Sequence, residues 1–174
     1  DYHNRYGDNL SKELPRIPRV KKAADFTTFE QAGRALAELH LNYENVACFG
    51  AVLESSASED SHYKVVTMKH PKLKMNGKSE NDLTRIVYNN RITITGIPTE
   101  AYRYVVNGKP AISWVMECQC DKEDKDSNIK SNANDWATET IGNPKYPLEL
   151  LLRVITVSLE TMKIVDALPA LDLE

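Results

Sequence analysis

The segment LTRIVYNNRITITG, residues 83–96, constrains the fold more than any other stretch of this 174-residue sequence. Large apolar residues alternate with other residues along it: Ile86, Tyr88, Ile92 and Ile94. Because successive side chains of a strand point to opposite faces, this period of two indicates β-structure with one buried face. Asn89-Asn90 at its centre tolerates the positive φ that a tight turn needs. The sequence therefore predicts a β-hairpin at about residues 83–95.

Helical patterns surround this hairpin. Apolar residues recur at helical spacing from Phe29 to Tyr43, which predicts a helix over residues 28–42 with a capping box formed by Thr27 and Glu30. Proline is favoured in the first turn of a helix, so three more helices are predicted to begin at Pro98, Pro110 and Pro147. Asn107-Gly108 is expected to end the first of these. The last extends for about 30 Å, and its charged residues indicate a core helix and not a membrane span.

The remaining segments are predicted to be strands or loops. Residues 63–68 (YKVVTM) have the composition of a strand, while the polar residues 54–62 and 121–135 are typical of exposed loops. Trp114 is expected to pack in the core, and Trp136 to hold a loop against the body. The order of helix, strands, hairpin and helices predicts an α+β fold: a small, mainly antiparallel sheet packed by several helices, including a long C-terminal one.

The formal net charge of −3 conceals two oppositely charged parts. Residues 61–115 contain nine basic and three acidic residues, whereas residues 116–150 contain eight acidic and four basic ones. A basic segment beside a hairpin could follow a phosphate backbone. Alternatively, exposed lysines solvate a strand edge and deter aggregation. The three cysteines fit no disulfide framework, which favours a reducing cytoplasm.

Catalytic and metal-binding motifs are weak. Gly77-Lys78-Ser79 ends like a P-loop, but the position that requires the first glycine is Lys72, so nucleotide binding is not expected. Glu123-Asp124-Lys125 matches half of a nuclease metal site, yet a second carboxylate on a neighbouring strand is needed to hold the ion. Cys118-x-Cys120 has no second ligand pair and the histidines are scattered, so a structural zinc is not expected either. His40 is interpreted as a capping or packed residue.

Several segments, in this order, resemble one family of bacterial proteins. DYHNRYGDNLSKELPRIPRV and FTTFEQAGRALAELHLNYE are similar to the tail that follows the target-recognition region in many adenine-specific DNA methyltransferases. YNNRITITGIPTEAYRYVVNGKPAISWVME, NANDWA and NPKYPLELLLRVITVSLETMKIVDALPAL resemble the carboxy-terminal end of the type ISP restriction-modification enzymes, often labelled predicted helicases. The start at Asp1 without a methionine also favours a piece of a longer polypeptide.

The resemblance implies a non-catalytic C-terminal specificity domain of a bacterial, cytoplasmic restriction-modification protein. Residues 1–25 would be a helix and proline-rich connector from an upstream recognition region, and residues 26–174 the specificity-type domain. The parent would carry nuclease, helicase-like ATPase and N6-adenine methyltransferase activities, using S-adenosylmethionine, ATP and Mg²⁺. No cofactor or metal is expected in this chain. The expected partners are double-stranded DNA and the upstream methyltransferase and helicase domains. Contact with a membrane is not expected.

Two functional hypotheses follow. In the first, the chain contacts DNA: a basic loop meets phosphates and the hairpin tip approaches a groove. The residues predicted for the phosphates are Lys69, Lys72, Lys74 and Lys78, and those for the groove are Asn89, Asn90 and Arg91. In the second, the chain is a scaffold that docks against the methyltransferase core without touching DNA, which an exposed apolar patch would favour.

Overall fold

The computed structural model of the protein describes residues 20–75, 78–124, 126 and 128–170. Nine strands lie in this part of the chain: β1 (Val52–Ser55), β2 (Lys72–Met75), β3 (Lys78–Asn81), β4 (Arg85–Val87), β5 (Ile92–Thr95), β6 (Val105–Val106), β7 (Lys109–Pro110), β8 (Asp121–Asp124) and β9 (Ile129–Asn132). The α-helices described are α1 (Ala23–Leu41), α2 (Ala111–Cys118), α3 (Ala133–Asp135) and α4 (Tyr146–Asp166). Short 3₁₀-helices occupy Tyr43–Asn45, Asp60–Tyr63 and Thr99–Arg103, and a π-helix at Trp136–Thr140 continues α3.

The central sheet has three strands in the order β1–β5–β4, and both pairings are antiparallel. The predicted hairpin is confirmed as β4 and β5, joined through Asn89-Asn90 with Ile86 opposite Ile94. Lys69 extends the free side of β4 through an antiparallel bridge to Val87. The other strands form three two-stranded ribbons, β2–β3, β6–β7 and β8–β9. All strand pairs in the described residues are antiparallel, as the sequence pattern predicted.

The core lies where one face of the sheet meets the long C-terminal helix. The period-two pattern of the hairpin puts Ile86, Ile92 and Ile94 on this face, and each is at most 1% exposed. Leu151 and Ile155 of α4, one helical turn apart, face the same cluster and are fully buried. Burial of large aliphatic side chains supplies about 1.5–3 kcal/mol each, so this contact contributes strongly to stability. The α+β class and the long C-terminal helix are therefore confirmed.

Two predicted helix boundaries are wrong. Helix α1 begins at Ala23, and Thr27 lies inside it with its hydroxyl donating to the Ala23 carbonyl at 3.1 Å, so the capping box does not form. A threonine can satisfy its hydroxyl within a helix in this way, which makes the motif ambiguous. The helix expected from Pro98 is only a 3₁₀ turn, followed by the β6–β7 hairpin. Asn107 and Gly108 both have positive φ, as a type I′ hairpin turn requires.

Two other expectations also change. Residues 121–135, predicted as a loop, contain the β8–β9 hairpin, whose mostly exposed residues gave no alternating signal. Residues 63–68, predicted as a strand, are not one, although Val65 and Met68 are buried there. Of the predicted connector, residues 1–25, the first nineteen residues lie outside the described part of the chain. Within the described residues no helix is long and apolar enough to cross a membrane.

Candidate nucleic-acid interface

The predicted basic loop is a two-stranded ribbon formed by β2 and β3. Lys72 lies opposite Asn81 and Lys74 opposite Ser79, while Lys78 lies opposite Met75. Because directly opposed residues of an antiparallel pair project on the same side, Lys72 and Lys74 share a face that carries no acidic residue. Lys78 lies on the reverse face. The described side chains of both strands are exposed, as expected of a ribbon that stands clear of the core.

The base of this ribbon is fixed to the central sheet. Asp82 is buried, its N–H donates to the Pro71 carbonyl at 2.8 Å, and its Oδ1 accepts from the Thr84 hydroxyl at 2.6 Å. His70 Nδ1 donates to the Arg85 carbonyl at 2.8 Å. Hydrogen bonds therefore hold both ends of the ribbon beside the start of β4. Burial and the nearby Asp82 charge raise the pKa of Tyr102, so this phenol under the ribbon base stays neutral.

The ribbon lysines belong to a group of basic side chains that lack internal partners. Among the described lysines, six have no ion pair, side-chain hydrogen bond or ring contact: Lys22, Lys64, Lys69, Lys72, Lys74 and Lys78. Five of these six lie between residues 64 and 78. Residues 61–115 contain nine basic and only three acidic residues, so this part of the surface keeps a net positive charge.

The described arginines also divide into paired and unpaired side chains. Four of the five described arginines pair with a carboxylate, the partners being Arg34 and Glu30, Arg85 and Glu54, Arg103 and Asp166, and Arg153 and Glu149. Arg91 is exposed, and its guanidinium has no ion pair or hydrogen bond with any residue that the structure describes. This side chain is therefore available to an external partner.

The tip of the β4–β5 hairpin presents Arg91 next to Lys64. Asn89 Nδ2 donates to the carbonyls of His62 and Lys64, both at 2.9 Å, which brings Lys64 beside the tip. The Asn89 amide, predicted to approach DNA, is used entirely within the protein, because its Oδ1 accepts from the backbone N–H of Arg91 and of Ile92 at 2.8 Å each. Asn90 is exposed. Lys64 was absent from the residues predicted for the site, because only tertiary contacts place it at the tip.

These basic residues form a line along β4, which we call the cationic strip: Arg91, Lys64, Lys69, Lys72 and Lys74. Lys64 and Arg91 lie at the tip, Lys69 is opposite Val87 in the middle, and the ribbon starts beside Arg85 at the other end. From Arg85 to Asn89 the backbone spans about 13 Å. The predicted ribbon and tip residues are thus not in one cluster, but at two ends of one strand.

A groove of about 760 Å³ lies between the base of the ribbon and α2. Lys69 and Lys72 line one side of it, and Ser113, Met116 and Glu117 line the other. The Glu117 carboxylate is held by Lys109, with both oxygens within 2.7 Å of Nζ. This pairing neutralises the acidic side chain on the α2 wall, so the groove keeps its positive character near the ribbon.

The second ribbon, β8–β9, differs in charge. It carries Asp121 and Glu123 opposite Asn132 and Lys130, and the Glu123 and Lys130 side chains approach to 4.0 Å. The half motif of a nuclease site therefore lies on an exposed ribbon, with Lys125 outside the described residues. Within the described part of the chain, no three His, Cys, Asp or Glu side chains converge in a group that could hold a metal ion.

The prediction that Trp114 packs in the core is wrong. It is 37% exposed, its N–H donates to the Val106 carbonyl at 2.8 Å, and Lys109 Nζ lies 4.5 Å from its ring centre. Trp114 lines an apolar groove of about 460 Å³ between α2 and the end of α1. His40, at this end of α1, bonds Thr161 at 2.9 Å and stacks on Tyr104, so it is a packed residue. Trp136, expected to hold a loop, is 53% exposed.

The fold and this charge distribution define a small α+β domain with a surface suited to a polyanion. Residues 1–150 match the family described as the Type ISP C-terminal specificity domain. The chain therefore belongs to this family, as the resemblance implied. No curated protein matches the chain.

Three solved structures are similar to almost the whole chain. The first is described as the ATP-dependent Type ISP restriction-modification enzyme LlaBIII bound to DNA, with 41% identity, a TM-score of 0.78 and 99% of this chain covered. The second, a nuclease-deletion mutant of the Type ISP enzyme LlaGI in complex with a DNA substrate mimic, has 42% identity and a TM-score of 0.79 over 99% of the chain. The third is a DrdV–DNA complex, with 26% identity and a TM-score of 0.74 over the same share. This chain spans 10%, 13% and 17% of the three, respectively.

Proposed function

We propose that this chain is the DNA-recognition module of a larger restriction-modification polypeptide and that lysines of its cationic strip contact the DNA backbone. The observation that carries the proposal is the concentration of unpaired basic side chains along β4 and the β2–β3 ribbon. The family membership supports it, and so do the DNA complexes named for the three similar structures. The module itself would be catalytically silent, since no catalytic constellation is recognised in its sequence.

The phosphate contacts are assigned to Lys69, Lys72 and Lys74. Lysine ammonium groups on long flexible stems suit phosphates, which fix position without reading sequence. Lys72 and Lys74 share the face of the ribbon that carries no acidic residue. Lys69 lines the same side of the groove as Lys72. Lys78, on the reverse face beside Glu80, is in a position to contact DNA only if the ribbon is surrounded. Contact through both faces would require the whole ribbon to enter a DNA groove. We therefore assign the phosphate contacts to one face, the face of Lys72 and Lys74.

The rest of the activity belongs to other parts of the polypeptide. A chain that spans 10–17% of its similar structures leaves most of the machinery elsewhere. We place the nuclease, the helicase-like ATPase and the adenine methyltransferase upstream, together with S-adenosylmethionine, ATP and Mg²⁺. The upstream methyltransferase and helicase domains are the proposed protein partners. The bacterial cytoplasm, which contains the DNA, is the proposed location.

A second candidate function is supported by the apolar groove beside Trp114. Its rim includes Tyr43 and Val106, which are 38% and 37% exposed. An open apolar surface of this kind favours contact with another protein surface. In this case the chain is a scaffold that docks against the methyltransferase core and the cationic strip has no DNA contact. The two functions differ in their response to salt.

The decisive measurement is the affinity of the full 174-residue chain for a labelled random-sequence duplex over about 50–200 mM salt. Fluorescence anisotropy gives the dissociation constant at each salt concentration. The test variant combines Lys69→Ala, Lys72→Ala and Lys74→Ala. The control variant removes three lysines that have internal partners: Lys122→Ala, Lys130→Ala and Lys163→Ala. Both variants lose three positive charges, so net charge alone cannot separate them.

Each phosphate contact contributes about 0.9 to the slope of log affinity against log salt, so we expect the test variant to lose about 2.7. The control variant should keep the wild-type slope within about 0.5, because its lysines are outside the strip. Equal losses in both variants would show a non-specific charge effect and contradict the assigned contacts. If wild-type protein shows no binding even at the lowest salt, the scaffold function is favoured and DNA recognition by this chain is wrong.

A further inference from the structure

We propose that Arg91 reads a base edge in a DNA groove and that Asn89 is the positioning residue that aims it. This inference rests on the proposed DNA-recognition function and adds to it a division of labour. The lysines of the cationic strip would supply affinity that is independent of sequence, whereas Arg91 would supply discrimination among bases. The argument comes from the different ways in which the ribbon lysines and Arg91 are held.

The backbone of Arg91 is anchored on both sides. Its N–H donates to Asn89 Oδ1 at 2.8 Å, and its carbonyl accepts from the Ser56 N–H at 3.0 Å. Its side chain is exposed and has no partner among the described residues, in contrast to the four other described arginines. The protein thus fixes the start of this side chain while leaving its charged end free.

Asn89 locks the turn that carries Arg91. Its side-chain amide makes four hydrogen bonds to backbone groups, with donors to His62 and Lys64 at 2.9 Å and acceptors from Arg91 and Ile92 at 2.8 Å. These bonds link the hairpin tip to the segment around the 3₁₀-helix Asp60–Tyr63. Each side-chain polar group of Asn89 is occupied, so the residue has no capacity left for DNA. Its function at the tip is therefore to hold the turn in one conformation.

Rigid presentation matters for base reading more than for phosphate binding. A guanidinium is a planar fork that donates two parallel hydrogen bonds to O6 and N7 of guanine, and this geometry depends on orientation. Functional groups are most selective when their supporting residues are themselves fixed. The tip is about 13 Å from the ribbon base, a separation comparable with the width of the DNA major groove, about 12 Å. With the ribbon on backbone phosphates, Arg91 therefore meets a different part of the duplex, and its long side chain is free to enter the groove there.

The test is selection from a library of random duplexes. The full chain is bound to the library, the bound fraction is sequenced, and the enrichment of each base at each position is calculated. The variants are Arg91→Ala, Arg91→Lys and Asn89→Ala, with Lys72→Ala/Lys74→Ala as the backbone-contact control. Thermal unfolding shows whether Asn89→Ala is folded, and the salt slope on a single random-sequence duplex is measured for each variant.

We expect wild-type protein to enrich guanine at one position at least, and Arg91→Ala to reduce that preference about tenfold to a hundredfold. Arg91→Lys should retain only part of it, because a point charge lacks the fork. Asn89→Ala should weaken the same position without changing the salt slope. The lysine control should lower affinity and slope while leaving the enriched sequence unchanged.

Four outcomes would overturn the inference. If the wild-type chain binds without base preference, or if Arg91→Ala keeps the wild-type sequence preference, Arg91 does not read bases while the proposed DNA-recognition function stands. If Arg91→Ala weakens all sequences equally and lowers the salt slope by about 0.9, Arg91 is a phosphate contact. If wild-type protein does not bind DNA at all, both the proposed function and this inference are wrong.

Discussion

The two faces of the β2–β3 ribbon provide the sharpest test of how this surface works. Lys72 and Lys74 lie on one face and Lys78 on the other, and all three are exposed and unpaired within the described residues. If only the first face meets phosphates, Lys72→Ala/Lys74→Ala removes two contacts and Lys78→Ala removes none. The three lysines lie within two paired strands of four residues each. The main difference in their positions relative to a bound duplex is therefore the face of the ribbon on which each one lies.

The expected size follows from counterion release. Two lost contacts reduce the salt slope by about 1.8, since each phosphate contributes about 0.9. Over a fourfold rise in salt, the affinity ratio of wild type to the double variant then falls about twelvefold. Lys78→Ala should change the slope by less than about 0.3, because a charge that does not neutralise a phosphate releases no counterion.

Anisotropy titrations with one labelled duplex at four salt concentrations give these slopes directly. Lys74→Ala alone is the matched control for Lys78→Ala, since each variant removes one charge near the same end of the ribbon. Equal slope changes for these two single variants would refute the one-faced contact. They would show that the ribbon is surrounded by DNA or that its charge acts only as a whole.

Three further predictions concern stability and ionisation. Leu151→Ala should lower the free energy of unfolding by about 2–5 kcal/mol in a urea titration, because Leu151 is fully buried under the sheet. Val165 is half-exposed on the same helix, so Val165→Ala should lower it by less than about 1 kcal/mol. Gly108→Ala should cost about 1–2 kcal/mol by the same measurement, because Gly108 has a φ of 79° in the β6–β7 turn, and a smaller change would show that the turn relaxes. The hydrogen bond from Arg103 lowers the pKa of Asp166. The stability that this pair provides is therefore present above the usual carboxyl pKa and is lost as the pH falls through the lowered pKa of Asp166. In Arg103→Ala, NMR titration should show a higher pKa for Asp166, and an unchanged pKa would contradict the pairing.

The sequence predicted elements whose signals were local and periodic. The hairpin at residues 83–95 was predicted because alternation is imposed by the pleat itself, and α4 because a long apolar stripe at helical spacing has few alternatives. These two elements form the core, so the fold class followed from them. The motif Asn107-Gly108 was predicted to end a helix, but the positive φ that favours it at a helix end is also what a type I′ turn requires. Its use in a hairpin was decided by the pairing of β6 with β7.

The sequence by itself determined which charges the protein has and that one segment of it is strongly basic. Only the tertiary structure decided which of them are free, because pairing depends on residues distant in the chain, such as Arg85 with Glu54 and Arg103 with Asp166. The same holds for the role of Asn89, whose amide bonds reach backbone groups 25 and 27 residues away. Side-chain alternation and hydrophobic burial act over a few residues and are visible in a sequence. The neutralisation of a charge depends on distance in space, and only the folded chain fixes that distance.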